Sequence, residues 1–336
     1  MAFMLTRPLG RVIAGLIAVI VIGLGWFTLQ VYPVGGSGKE VIVTVHPGDS
    51  IAVIAGELHT KGVISSPFAF RLDALIFGTP IVLPGSYELR QGSSFSQVRS
   101  ILGAPPNVRV VVVNPGLTLH EVAVNVAQDT DNAFGVTFLA DATAAASASA
   151  YHPNGSLEGL IGPGQYLISP KETPAQLLAA MQRSFVKEAT RAGLTPTTVL
   201  NGLNAYQLLT AASIVEKEGY YASNMPKVAR VIYNRLAKGA ALQMDATVLY
   251  YFQQDGGTVT HTMLQTPTPY NTYLNAGLTP TPICTVSSTA LDAVLHAPPG
   301  PWLYFTVVDK KGTEAFSTTF AQQLANERLA AERGVG

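Results

Sequence analysis

The sequence predicts an α+β fold behind a single N-terminal transmembrane helix. Three observations predict it. Residues 12–32 carry no charge and are almost wholly apolar, long enough to cross a bilayer. Short β-branched runs, such as Val41-Ile42-Val43-Thr44-Val45 and Val111-Val112-Val113, read as strands. Around them, apolar residues recur at helical spacing behind serine, threonine and asparagine caps. The expected division is a cytoplasmic N-terminus over 1–11, the span over 12–32, a linker over 33–39, a small module over 40–104 and a larger mixed domain over 105–336.

The span comes first. Arg7 and Arg11 precede it, so the positive-inside rule leaves the N-terminus in the cytoplasm and everything from Lys39 onward outside. No small-x-small cleavage site follows the apolar run, and Trp26 and Tyr32 suit a membrane interface. A retained anchor in the plasma (inner) membrane is therefore expected over a cleaved signal. Gly35-Gly36-Ser37-Gly38 reads as a flexible linker.

The module then opens with the strand at 41–45. Pro47-Gly48 turns the chain, and Ser50 caps a helix through Leu58. A second helix starts behind Ser66 with Pro67 at its first position. A strand at 86–89 and a helix over 95–102 follow. An internal echo joins this module to the next segment. Val43-Thr44-Val45-His46-Pro47-Gly48 recurs as Val111-Val112-Val113-Asn114-Pro115-Gly116, with Ser50 and Thr118 as matching caps. Each copy is a strand, a tight turn and a helix. That pattern resembles LysM-type modules, small folds that often bind N-acetylglucosamine polymers. A plain structural spacer fits the same pattern.

Residues 141–156, rich in alanine and serine, read as an insertion or mobile loop in which 145–150 could form a helical turn. Helices are expected over 173–191, from 205 to a stop at Gly219, from Pro226 to Lys238, and over 288–295. A strand at 302–308 turns at Lys311-Gly312 and returns through Ala315-Phe316. A helix over 322–333 closes the chain.

Composition narrows the chemistry. Net charge is zero and charged residues are 12%, so no basic field favours nucleic acid. Six histidines are scattered, with no His-Glu-x-x-His pair and no Cys/His cluster, so no zinc site is expected. Phosphate loop, dinucleotide fingerprint and serine-hydrolase elbow are all missing, and no cofactor is expected. Cys284 is the only cysteine; it rules out an intrachain disulfide and suits a small buried residue better than a nucleophile.

The stretch with the most chemistry is Ala212-Ser213-Ile214-Val215-Glu216-Lys217-Glu218-Gly219. Leu208, Ala211, Ala212 and Val215 make one apolar stripe, and Gly219 supplies a stop through its tolerance of left-handed backbone. Two carboxylates thus arrive at a helix C-terminus, where partial negative charge disfavours them. A carboxyl set there against an apolar stripe should have a raised pKa, as an acid for glycosidic cleavage needs. The wheel separates them weakly: Glu218 lies about 70° from the stripe's middle and Glu216 about 90° on the other flank, with Lys217 pointing away. Both could equally be surface residues paired with cations.

The residues after this helix decide between these readings. Ala212-Ser213-Ile214-Val215-Glu216-Lys217-Glu218, Tyr233-Asn234-Arg235-Leu236, Leu242-Gln243-Met244-Asp245-Ala246-Thr247-Val248 and Tyr270-Asn271-Thr272-Tyr273 stand in the order seen in the endolytic murein transglycosylases. The chain resembles this YceG-like family over nearly its whole length. It differs at Gly164-Gln165-Tyr166, where the family usually has Asp-Thr-Tyr, and at Thr285-Val286-Ser287, where Asn-Pro-Gly is usual. Ala246 stands at a usual proline and Glu314 near a common histidine.

The resemblance implies a membrane-anchored lyase that cuts peptidoglycan glycan strands internally and leaves 1,6-anhydro-N-acetylmuramic ends, working beside peptidoglycan synthases. Similarity to other lytic transglycosylases places the acid/base at Glu218. Gln243, Asn271 and Thr272 are then expected to bond sugar hydroxyls and acetamido groups, Tyr270 and Tyr273 to offer flat faces to sugar rings, and Asp245 to orient a hydroxyl. Glu158 is the second carboxylate expected in the cleft. The competing readings are a non-catalytic wall-binding scaffold, which would form no new ends, and a true hydrolase, which would give reducing ends.

Overall fold

The computed structural model describes residues 8–32, 38–144, 149–152, 155–219 and 221–335. Arg7, most of the Gly-rich linker and residues 145–148 of the alanine-serine stretch lie outside the described residues. The chain forms two compact units. The first takes everything through Arg109 together with Leu167–Lys171; the second takes Val110–Tyr166 and everything from Glu172.

The first unit begins with α1 (Pro8–Val31), whose stretch Arg11–Val31 has mean hydropathy 2.5, long and apolar enough to cross a membrane. β1 (Glu40–Val45) follows, then α2 (Ile51–Thr60), α3 (Pro67–Phe77), β2 (Gly85–Arg90) and α4 (Phe95–Leu102). β1 and β2 pair antiparallel, from Glu40 opposite Arg90 to Val45 opposite Gly85. Strand alternation sends Val43, Val45, Tyr87 and Leu89 inward, where they meet Leu58 of α2, Phe70 of α3 and Phe95 of α4. Phe70 and Phe95 pack edge-on, ring centres 5.4 Å apart. The expected caps are in place: Ser50 accepts from the Val53 N–H and Ser66 from the Ala69 N–H.

The second unit contains β3 (Arg109–Val113) from Val110 on, α5 (Leu119–Asp129), α6 (Asn132–Thr143), β4 (Gly164–Ile168) up to Tyr166, α7 (Pro174–Ala192), the short hairpin β5 (Val199–Leu200) and β6 (Leu203–Asn204), and α8 (Ala205–Glu218). Then come α9 (Met225–Ala237), α10 (Asp245–Tyr251), α11 (His261–Gln265), α12 (Ser288–Leu295), β7 (Tyr304–Val307), β8 (Glu314–Ser317) and α13 (Phe320–Glu332). β3 pairs with β4, and β7 with β8. The module's echo therefore belongs to this unit, where Thr118 and Glu121 close a capping box on α5. Gly48 and Gly116 hold φ of +87° and +85°, so both Pro-Gly turns need the residue without a Cβ.

α8 is the unit's central helix, packed by α9 and α12. It carries more than one stripe: every residue from Leu208 to Val215 is buried, Thr210 and Ser213 included. A helix apolar all round belongs inside a core. Its two hydroxyls are satisfied locally, Thr210 donating to Tyr206 O and Ser213 to Thr210 O. Ser213 Oγ also accepts the Ile283 N–H, tying the 283–287 strand of loop to the helix.

Gly219 stops α8 by a different means from the one expected. Its φ is −80°, outside the left-handed region. A Cβ at this position would sit 2.6 Å from Met225 Cγ and 3.0 Å from Val215 O, so close packing on the start of α9 is what requires glycine. α6, α10 and α11 have no counterpart in the sequence reading. α6 ends in the first three residues of the 141–156 stretch read as a loop, and α10 is rich in β-branched and aromatic residues that mask helical periodicity.

Candidate active site

α8 leaves the core in its last turn, and that exit separates its charged residues. Glu216 turns to α12. Its Oε2 accepts from the Ser287 N–H at 2.8 Å and from the Ser287 hydroxyl at 2.6 Å. Ser287 is the N-cap of α12, so Glu216 anchors a helix N-terminus, where negative charge is favoured. Lys217 does not point away. Its Nζ donates to Gly116 O at 3.0 Å and pairs with Asp255 Oδ1 at 2.6 Å, clamping the Pro-Gly turn to a distant loop.

Glu218 is left to face a cleft. Its Oε1 accepts from the Ala246 N–H, in the first turn of α10, at 3.1 Å. Burial pushes its carboxyl up to about 7; the Ala246 N–H pulls the other way, and the charges of Asp245 and Glu314 push it further up. The carboxyl thus holds its proton to near neutrality while remaining able to ionise.

Two cavities meet at this residue. One, of about 670 Å³, is lined by Glu158, Lys217, Tyr250 and Tyr270 together with the 115–118 turn. The other, also of about 670 Å³, is lined by Gln243, Tyr273, Tyr304 and Glu314. Glu218 and Asp245 line both. Each cavity falls in the range of about 300–1,000 Å³ usual for small-molecule sites. A chain-like ligand laid through both would pass the Glu218 carboxyl with units on either side.

The expected site residues divide into those at the surface of this cleft and those behind it. Tyr270 lines the first cavity, its hydroxyl 2.9 Å from Thr281 Oγ1 and its ring 5.0 Å from that of Tyr250. Gln243 and Asp245 are exposed at the second cavity. Gln243 holds φ of +51°, a left-handed conformation that costs a non-glycine residue energy and is commonest at functional positions. The turn is fixed by its N–H to Thr272 O at 3.0 Å and by Arg235 Nη1 donating to its Oε1 at 3.3 Å. Tyr273 donates to Asp245 Oδ1 at 2.5 Å, beside Glu218.

Asn271 and Thr272 are placed otherwise. Both are buried. Asn271 Nδ2 donates to the carbonyls of Met263, Leu264 and Thr266, and Thr272 Oγ1 accepts the Met244 N–H and lies 2.9 Å from Thr247 Oγ1. Their polar atoms are spent inside the protein, so they shape the loops that carry Gln243 and Tyr273 instead of reaching into the cleft. Glu158 is buried as well and lines the first cavity. It accepts the Leu119 N–H at the start of α5, at 3.0 and 3.2 Å, and the Tyr250 hydroxyl at 3.1 Å. Burial raises it to about 7 against those hydrogen bonds.

Four residues of the site had no role in the sequence reading. Ala246 supplies the donor to Glu218, and only a backbone contact reveals it. Lys217 braces the first cavity. Tyr250 holds Glu158. Arg235 is buried beneath the second cavity, donating to Leu303 O at 2.6 Å and Leu242 O at 2.5 Å with its guanidinium 5.0 Å over the Tyr304 ring. Its place in the Tyr233-Asn234-Arg235-Leu236 motif is the mark it leaves in the sequence. Among the described residues no group of His, Cys, Asp and Glu is arranged to hold a metal ion. Cys284 is fully buried, and that burial pushes its thiol well up.

Comparison with known proteins places this geometry in a family. The YceG-like family profile matches residues 43–329. The endolytic murein transglycosylase of Bacillus subtilis strain 168 is 28% identical over 309 residues, covering 86% of this chain and 85% of its own. The endolytic murein transglycosylase of Streptococcus pneumoniae D39 is 27% identical over 304 residues, covering 80% of this chain and 54% of its own. A YceG-like protein of Listeria monocytogenes, known from a crystal structure, superposes with a TM-score of 0.53 at 26% identity, covering 86% of this chain and 99% of that one. With 287 of its residues inside the family profile and the Glu218 cleft in the matched region, this chain belongs to the YceG-like family.

Proposed function

We propose that this chain is an endolytic murein transglycosylase whose acid and base are both Glu218. The observation that carries the reading is the position of Glu218 at the junction of two cavities, with its carboxyl raised to about 7. A polysaccharide enzyme that cuts inside a strand needs room for sugars on both sides of the reacting bond. A carboxyl near neutrality can give a proton and take one back at the same pH.

In the proposed cycle, protonated Glu218 donates to the glycosidic oxygen that follows an N-acetylmuramic acid unit. The C1–O bond breaks and the sugar's N-acetyl oxygen stabilises C1. Glu218, now a carboxylate, removes the proton from the C6 hydroxyl of the same sugar. That oxygen closes on C1, giving a 1,6-anhydro end and a shortened strand. No water is consumed, and the enzyme returns with its proton. The Ala246 N–H steadies the carboxylate between the two steps. Tyr270 offers a ring face on one side, and Gln243 and the Asp245–Tyr273 pair offer hydrogen bonds on the other.

The same reading makes α1 a retained anchor, with both units outside the cytoplasm at the site of new wall, where nascent strands pass. The order β1-α2-α3-β2 supports the LysM likeness of the first unit. The experiment is digestion of purified, uncrosslinked glycan strands by the full-length protein, read by mass spectrometry. Anhydro-muramic ends on fragments from strand interiors support the proposal; reducing ends make the protein a hydrolase, and unchanged strands make it a scaffold.

A further inference from the structure

α3 is apolar on both of its faces. One face, with Ala69, Phe70 and Ala74, is buried in the first unit's core. The other presents Phe68, Leu72, Leu75 and Ile76, a spacing of four, three and one that makes a continuous helical stripe. These side chains are open: Phe68 is 66% exposed, Leu75 78% and Ile76 59%. Phe77 and Ile81, the latter 85% exposed, extend the patch past the helix end. Scattered exposed leucines need no explanation, but a contiguous stripe of this kind on a small domain marks something that covers it.

The exposed charge on α3 is positive. Arg71 is exposed on the same helix. Asp73, α3's acid, is buried and paired with Arg99 at 2.7 Å, so it shows no negative charge outward. The Arg99 guanidinium lies 5.2 Å over the Phe77 ring. An apolar stripe with an exposed arginine beside it is what a helix lying in a membrane interface presents to anionic lipid.

The position of α1 decides what covers it. Val31, the last residue of α1, belongs to the first unit's core, and Phe27 packs against the same core. Ser65, just before α3, donates to Gln30 Oε1 at 2.6 Å. Val31 lies four residues past Phe27 along the helix, a rise of about 6 Å. The apolar stretch ends at Val31. A span seated with Val31 at the hydrocarbon edge therefore has Phe27 below that edge and in contact with the unit. The unit, with α3 packed directly on α1, then touches the bilayer instead of hanging from it on a tether.

We propose that the exposed face of α3 and the segment through Ile81 lie in the outer interfacial layer of the membrane that α1 crosses, with lipid chains covering the stripe. The inference rests on the proposed anchoring by α1 and adds a second, lateral contact that fixes the first unit against the bilayer surface.

The test uses the full-length chain in nanodiscs of phosphatidylethanolamine and phosphatidylglycerol. Single cysteines are introduced by Ile20→Cys in the span, Leu75→Cys in the stripe and Thr60→Cys at the exposed end of α2, each labelled with an environment-sensitive fluorophore; Cys284 is buried and stays unlabelled in the folded protein. Quenching is measured with iodide in the water and with lipids carrying a nitroxide near the headgroup or deep in the chain. The expected result is deep-lipid quenching at position 20. Position 75 should show several-fold stronger headgroup-nitroxide quenching and several-fold weaker iodide quenching than position 60. If position 20 is lipid-quenched while 75 behaves like 60, the lateral contact is wrong and the anchor stands. If 75 is shielded from iodide but not reached by nitroxide, protein and not lipid covers the stripe, and the proposal is overturned. If position 20 is not reached by deep nitroxide, the anchoring reading falls and this inference with it.

Discussion

Glu216 and Ser287 form a two-bond contact, with one carboxylate oxygen accepting both the backbone N–H and the hydroxyl of the serine at 2.8 and 2.6 Å. This contact assigns the two glutamates of α8. The carboxylate that anchors α12 is committed to structure, and Glu218, two residues on, faces the cleft. Glu216→Ala should therefore lower stability, by about 1.5–3 kcal/mol for hydrogen bonds made to a charged group. Glu216→Gln should cost less and retain anhydro-end formation. Chemical denaturation of both variants, with product analysis of the folded fraction, checks this.

Ala246 lets the Glu218 carboxyl be tuned from the backbone. Among the described residues its N–H is the contact that holds the carboxyl down against burial and like charge. Ala246→Pro removes that N–H in the first turn of α10, where proline is tolerated. The carboxyl should rise further. Activity that depends on its proton should then persist to higher pH, so the alkaline limb of the rate profile should move upward from about 7. A profile of initial rate against pH for the two proteins measures the shift; a limb that moves down contradicts the assigned contact.

Glu158 is expected to support the cleft without taking part in proton transfer. Its oxygens already accept from Leu119 and Tyr250. Glu158→Gln should reduce turnover by no more than about tenfold, short of the 10²–10⁴ that removal of an acid–base group costs. A loss as deep as that of the Glu218 variant would move Glu158 into the chemistry.

The raised carboxyl of Glu218 also predicts a pH-dependent penalty on stability. Its folded value near 7 lies above its ordinary 4.5. Between those values the folded state holds a proton that the unfolded state has released, so this group's contribution falls as pH rises through that window and is fully lost above it. Glu218→Gln should leave stability nearly unchanged at pH ~4.5 and raise it at pH ~8, by on the order of 1–3 kcal/mol. Urea midpoints of both proteins at the two pH values test the sign.

Much of the frame was legible in the chain itself. Ser50, Ser66 and Thr118 announce their helices because capping is a local bond between a side chain and the next turn. The helix of Phe95–Leu102 and that of Ser288–Leu295 stand where apolar spacing put them. What local pattern does not carry is contact across the chain. The close approach of Gly219 to Met225, the Ala246 N–H at Glu218 and the reach of Lys217 to Gly116 join residues far apart or set by packing. Asn271 and Thr272 show the same limit from the other side. Their chemistry suits sugars, and only the fold reveals that their polar atoms are already used.

The central claim is that one carboxyl, Glu218, performs both proton transfers. Glutamine at this position keeps the shape and an acceptor for the Ala246 N–H, but neither donates an acidic proton nor takes one up. The most direct measurement is anhydro-muramic end formation by wild type and Glu218→Gln on the same purified glycan strands, with folding and glycan binding measured alongside. The account predicts that the variant folds, binds strands and forms anhydro ends slower by about 10⁴-fold or more, because both halves of the reaction lose their group. A folded Glu218→Gln variant that forms anhydro ends at the wild-type rate would contradict it.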